Sequence, residues 1–162
     1  MSRIIFLSML FLANLCAAGG NEIAVHEKSK RLAAQLNDNF SSVYVNEPVP
    51  FKNESKQIYA VLISLEGHYG GNAHVDYLAV YELGIDGPGP NYEKKMKPSY
   101  RLISLSIIGR KMWRDINFNS MQFANETFYF SALKYGPNDP GCCPSEEVKV
   151  MYKLTEIGLI EL

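Results

Sequence analysis

Cysteine is scarce in this chain of 162 residues, which has three cysteines and one tryptophan. Cys16 belongs to the apolar N-terminal segment, so Cys142 and Cys143 are the only thiols in the rest of the chain. In an oxidising compartment, two adjacent thiols can form one disulfide within the chain, between neighbouring residues. This pair is the only unusual chemistry that the sequence carries.

An excess of basic charge is also missing. The chain has 16 lysines and arginines against 17 aspartates and glutamates, a formal net charge of −1. Nothing in this balance would neutralise phosphates, so nucleic acid is not expected as a partner. The sequence also has no polybasic or amphipathic stretch that would indicate binding to an anionic membrane surface.

The sequence lacks several common catalytic motifs. It contains no Gly-x-Ser-x-Gly or His-Glu-x-x-His pattern and no glycine-rich phosphate loop. No internal repeat or low-complexity tract is present. We therefore expect a non-enzymatic domain without a cofactor.

The N-terminal residues 1–18 have the pattern of a signal peptide. Arg3 gives the positive start, residues 4–15 are mostly apolar, and Cys16-Ala17-Ala18 precedes a cleavage site at Gly19. The apolar run is too short for a membrane span, so no transmembrane segment is expected after cleavage. Leu15 is not the small residue that a lipobox needs, which disfavours lipid anchoring through Cys16. The sequence thus predicts a periplasmic or secreted protein with one domain, 19–162.

The remaining sequence predicts an α+β fold: an antiparallel β-meander sheet of about five to seven strands with one N-terminal helix packed on it. Residues 23–36 have helical periodicity, and the continuous apolar run 58–65 is typical of a central strand covered on both faces. In 102–108, Ile103, Leu105 and Ile107 are expected inward and Ser104 and Ser106 outward. Residues up to Pro50 are expected to be extended or irregular because of Pro48 and Pro50. The predicted strands are 58–65, 75–83, 102–108, 115–119, 127–133, 147–154 and 158–162.

Two groups of residues are candidate sites. Imidazole and carboxylate groups are zinc ligands, so His68, His74 and Asp76 form a candidate metal site, although their spacing matches no compact ligand pattern. The alternative is a solvated loop with two exposed histidines.

The second candidate is the loop that contains Asp139, Pro140, Cys142, Cys143 and Pro144. Neighbouring Cα atoms are about 3.8 Å apart, less than most disulfides require, so a bond between them is strained and easier to reduce. It would act as a rigid turn, as a ligand-contacting knob or as a redox switch. Intermolecular pairing, free thiols and metal ligation remain open alternatives.

The run Gly136-Pro137-Asn138-Asp139-Pro140-Gly141-Cys142-Cys143-Pro144-Ser145, followed by an alternating strand and a short apolar strand, resembles the C-terminal signature of the LppP/LprE lipoprotein family. The resemblance covers about residues 59–162. It implies an exported bacterial domain and little about chemistry.

These observations predict an exported domain, periplasmic or secreted, that binds a protein partner or a component of the cell envelope. The cysteine loop and a neighbouring loop, 86–90, would form its variable surface. Trp113 is either a partner anchor or the edge of the core. The alternatives are a thiol/disulfide redox protein that uses Cys142 and Cys143, and a divalent-metal binder at His68 and His74.

Overall fold

The structure is a computed structural model that describes the backbone of residues 4–53, 56–67, 73–86 and 97–162. Side chains are described for 20–52, 56–67, 73–84 and 98–162. These residues form one helix and nine strands, so the α+β class is confirmed, but the expected five to seven strands were too few. The elements are α1 Ile4–Leu36, β1 Ser42–Val45, β2 Val49–Asn53, β3 Lys56–Glu66, β4 His74–Asp86, β5 Lys97–Arg110, β6 Arg114–Ala124, β7 Thr127–Lys134, β8 Glu146–Thr155 and β9 Gly158–Glu161.

Strands β3 to β9 follow one another through the sheet in chain order, each antiparallel to the next. The two additional strands both pair with β3: Val45 lies opposite Ile63, and Val49 lies opposite Ala60. Pro50 is compatible with β2 because an edge strand can lack a donor on its outer side. Neither strand is among those that the sequence predicts, because Pro48 and Pro50 indicate an extended or irregular segment up to Pro50.

The sheet folds over between β5 and β6. These strands share one residue pair, Arg110 with Arg114. The last strand, β9, lies close to β5, and there the Leu159 backbone N–H donates to Ser104 Oγ over 3.1 Å. The two halves, β1–β5 and β6–β9, thereby enclose an inner core. Its largest members are Ile58, Leu62, Leu78, Ile108, Phe118, Phe128, Phe130 and Tyr152.

Helix α1 covers the outer face of β3–β5. Val25, Ser29 and Ala33 are fully buried and, being four residues apart, lie on one side of the helix. They pack against a face that includes Tyr59 and Tyr81. Strand β3 is therefore buried on both faces, as its continuous apolar run predicted.

Polar contacts fix how the helix sits on the sheet. The Ser29 hydroxyl donates to the Val25 carbonyl over 2.9 Å and lies 3.2 Å from the Tyr81 hydroxyl. Lys28 Nζ donates to the Tyr100 carbonyl over 2.6 Å, and the Tyr100 hydroxyl donates to Asn21 Oδ1. Because buried polar groups cost free energy without partners, these bonds favour one position of the helix. Among the residues that the structure describes, no helix is both long and apolar enough to cross a membrane.

The inward pattern expected in 102–108 is wrong. Ile107 is 43% exposed and Ser104 is buried, while Ile103 and Leu105 pack on opposite faces of the sheet. The cause is two irregularities in the pairing of β5 with β4, at which Ile103 and Ile108 have no partner residue in β4. A β-bulge reverses the alternation of side chains beyond it.

The tight contact under the helix gives a testable prediction. Ala33→Leu places a larger side chain where none of the alanine is exposed, so we expect a loss of about 1–3 kcal/mol in unfolding free energy. Ala34→Leu is the matched control, because Ala34 is exposed and helix propensity changes equally. Urea unfolding measures both. Equal stability of the two variants would contradict the packing of α1 on this face.

Candidate functional site

The cysteine loop, residues 135–145 between β7 and β8, is organised around Asp139. Its carboxylate accepts hydrogen bonds from the backbone N–H of Gly136 (2.8 Å), the backbone N–H of Ser145 (2.8 Å) and the Ser145 hydroxyl (2.7 Å). The Gly136 N–H, followed by the Ser145 hydroxyl, lowers the pKa of Asp139. One carboxylate thus ties the two ends of the loop together.

The double cysteine lies at the exposed tip of this loop. Cys142 and Cys143 are paired as a disulfide, with Cα atoms 3.8 Å apart, and both residues are exposed. The Cys143 N–H donates to the Pro140 carbonyl over 3.0 Å, which closes a four-residue turn that includes the pair. The predicted residues Asp139, Pro140 and Pro144 therefore belong to the same local structure.

The turn between β5 and β6 lies next to the cysteine loop. A Cβ atom built on Gly141 would lie 3.5 Å from Met112 Sδ, so the end of the Met112 side chain is beside Gly141. Met112 has a φ of 63° and is 66% exposed. Trp113, beside it, is partly buried because the Arg114 guanidinium stacks 3.8 Å from its ring centroid. We call Met112, Trp113, Gly141, Cys142 and Cys143 the cysteine-end surface.

Arg114 connects this surface to the rest of the sheet. It is 5% exposed, and its Nε donates to the Ile108 carbonyl over 2.7 Å. Its Nη1 and Nη2 donate to the two carboxylate oxygens of Glu161 over 2.6 and 2.9 Å, and Nη2 also contacts the Tyr152 hydroxyl. The hydrogen bond from Arg114 lowers the pKa of Glu161, whereas burial raises the pKa of Tyr152. Strands β5, β6, β8 and β9 therefore meet at one guanidinium.

The second candidate site lies on the other side of the β5–β6 turn, where the Lys111 N–H donates to the His74 carbonyl over 3.1 Å. His74 Nε2 is 3.0 Å from Asp115 Oδ1 and 3.9 Å from Asp76 Oδ2. The His74–Asp115 distance suits an ion pair, but neither atom makes a hydrogen bond of normal geometry. Ser64 donates to Asp76 Oδ1 over 2.7 Å.

Asp76 is the buried member of this group. It is 8% exposed, and burial raises its pKa, which the Ser64 hydrogen bond and the nearby His74 partly offset. His68 lies outside the described residues. Within the described residues, no group of three or more histidine, cysteine, aspartate or glutamate side chains is placed to hold a metal ion. Metal binding at His68 and His74 stays a prediction.

The structure brings the two predicted sites to one end of the sheet and adds residues that the sequence analysis missed. Ser64, Arg114 and Asp115 carry no motif, and only the fold places them beside the predicted residues. The 86–90 loop was expected to neighbour the cysteine loop. Asp86 ends β4 at the end of the strand opposite His74, and residues 87–90 lie outside the described residues, so this expectation stays a prediction.

No protein-family model, curated protein or solved structure matches this chain. The resemblance to the LppP/LprE family therefore stays a prediction.

The close approach of β5 to Asp76 gives a second prediction. A Cβ on Gly109 would lie 2.7 Å from Asp76 Oδ2 and 3.1 Å from the Arg114 carbonyl oxygen. Gly109→Ala should lower the unfolding free energy by about 1–3 kcal/mol, because the backbone contact cannot yield easily. Gly84→Ala in the neighbouring strand β4 is the control. A Cβ on Gly84 would have its nearest atom 3.9 Å away, so the unfolding free energy of this variant should not fall. If both variants melt like the unchanged protein, this packing is wrong.

The Arg114–Glu161 pair gives a third prediction. Glu161→Gln should cost about 1.5–3 kcal/mol at pH 7, towards the low end because Glu161 is partly exposed. The pKa of Glu161 is lower in the folded state, so the stabilisation is complete above the unfolded pKa, about 4.3, and is lost as pH falls through the folded value. Unfolding curves of both proteins between acidic and neutral pH measure this.

The difference between the two proteins should therefore shrink on acidification. Glu147→Gln, at an exposed residue of β8, controls for a general loss of negative charge. A difference that is the same at every pH would show that the carboxylate of Glu161 does not stabilise Arg114.

Proposed function

We propose that this chain is an exported, non-enzymatic domain that binds a protein partner of the cell envelope through its cysteine-end surface. The observation that carries the proposal is the exposure of Met112 beside Trp113 and the disulfide tip. Methionine and tryptophan are enriched in protein interfaces, and a large exposed apolar side chain beside a tryptophan is a candidate anchor.

The rigidity of the surface supports the same proposal. Three hydrogen bonds to Asp139 hold the cysteine loop, and the buried Arg114 holds Trp113 by stacking on its ring. A surface that is ordered before binding loses less conformational entropy when a partner arrives. The disulfide removes further freedom at the tip.

Site-specific photo-crosslinking in cells that export the protein tests the proposal. We expect p-benzoylphenylalanine at position 112 to form a discrete covalent adduct with one protein. Ile157 is the matched control position, because it is equally apolar, 89% exposed and lies in the turn between β8 and β9, away from the cysteine loop. Adding Cys142→Ser and Cys143→Ser to the position-112 variant should remove most of the adduct.

Two results would overturn the proposal. One is the absence of any adduct at position 112 in correctly exported protein. The other is the same set of adducts at positions 112 and 157, because crosslinking would then report exposure alone.

A redox function is the second candidate, and the exposure of both cysteines favours it. Thiol–disulfide exchange requires access to a sulfur atom, and both lie at a loop tip. If this function holds, glutathione redox buffers should reduce and reoxidise the pair reversibly at a potential well above that of structural disulfides. A pair that stays oxidised throughout such a titration would exclude it.

A further inference from the structure

A second concave site lies at the end of the sheet opposite the cysteine loop. It has a volume of about 530 Å³ and is formed by the start of β3, Glu82 of β4, the first half of β5, the end of β8 and the turns β6–β7 and β8–β9. Pockets of about 300–1,000 Å³ accommodate small molecules. The surface proposed for the protein partner does not include any of these residues.

The inner wall of this pocket is apolar. Ile58 belongs to the inner core, and Ile103 and Leu154 pack against that core from the pocket side. Ile103 has no partner residue in β4, because it lies at one of the two irregularities of β5. This irregularity directs the Ile103 side chain to the pocket side of the sheet. An aliphatic group of a ligand would therefore find apolar contacts here.

The rim is charged, and part of it is already neutralised. Glu82 pairs with Lys56 at 3.2 Å and with Arg101 at 2.7 Å, and these two cations lower the pKa of Glu82, with Arg101 contributing most. Neither of the remaining anions, Glu126 and Glu156, nor the cation Lys153 forms an ion pair among the described residues.

We infer that this pocket binds a small zwitterion with an aliphatic side chain, such as a short apolar peptide with free termini. The free cation suits a carboxylate, the two free anions suit an ammonium group, and the isoleucine and leucine side chains suit an aliphatic group. A singly charged ligand would leave one half of this rim unused, and an uncharged ligand would leave both halves unused.

Titration with three dipeptide probes, followed by backbone amide NMR shifts, tests this inference. Leucyl-leucine should give saturable shifts at Ile103, Glu126 and Leu154. N-acetyl-leucyl-leucine amide lacks the two charges, and glycyl-glycine lacks the aliphatic side chains, so each should bind more weakly. Equal binding of the blocked peptide would overturn charge recognition, and the absence of saturable shifts with leucyl-leucine would overturn the site.

A variant pair separates recognition from general charge effects. Glu126→Gln combined with Glu156→Gln should weaken leucyl-leucine binding about tenfold, the loss expected for a charge-assisted bond. Glu147→Gln is the control, because Glu147 is exposed and lies near the cysteine loop. Unchanged thermal melting of the variants confirms that they fold. A double variant that binds leucyl-leucine as tightly as the control would contradict the inference.

Discussion

The closed form of the sheet depends on the hydrogen bonds that the buried guanidinium of Arg114 makes to three other strands. The sheet folds over at the β5–β6 turn, where only one residue pair joins the two strands. Ladder hydrogen bonds therefore cannot hold the two halves together at this point. Arg114 takes their place by bonding to β5 through Ile108, to β9 through Glu161 and to β8 through Tyr152. A planar guanidinium with five donors can satisfy partners on several strands at once.

The same residue links stability to the proposed binding surface. A buried charge is tolerated only where partners surround it, and the Trp113 ring supplies one face of that surrounding. Trp113 is thereby fixed beside Met112, whose side chain ends next to Gly141 of the cysteine loop. The loop is in turn closed by Asp139 through bonds that need no support from the core. The cysteine-end surface is thus ordered by the stacking of Arg114 on the Trp113 ring and by the hydrogen bonds to the Asp139 carboxylate.

The sequence predicted the fold class and seven of the strands because their signals are local. The apolar run in β3 and the alternation in β7 and β8 report burial directly. Local patterns could not place the two irregularities in β5, since a bulge reverses side-chain direction without changing composition. They also missed β1 and β2, because Pro48 and Pro50 interrupt this segment; Pro50 is acceptable within β2 only because that strand lies at an edge. Likewise, Asp139 and the cysteines are close in sequence and were found, whereas Ser64 and Asp115 reach His74 and Asp76 only through sheet pairing.

The proposed binding surface requires that Cys142 and Cys143 are joined in the protein as it is exported. Alkylation of the native protein under non-reducing conditions, followed by intact mass measurement, tests this most directly. A bonded pair predicts a mass without alkyl groups on either cysteine, and two alkyl groups only after reduction. Two alkyl groups on freshly isolated, unreduced protein would contradict the rigid tip and the binding function built on it.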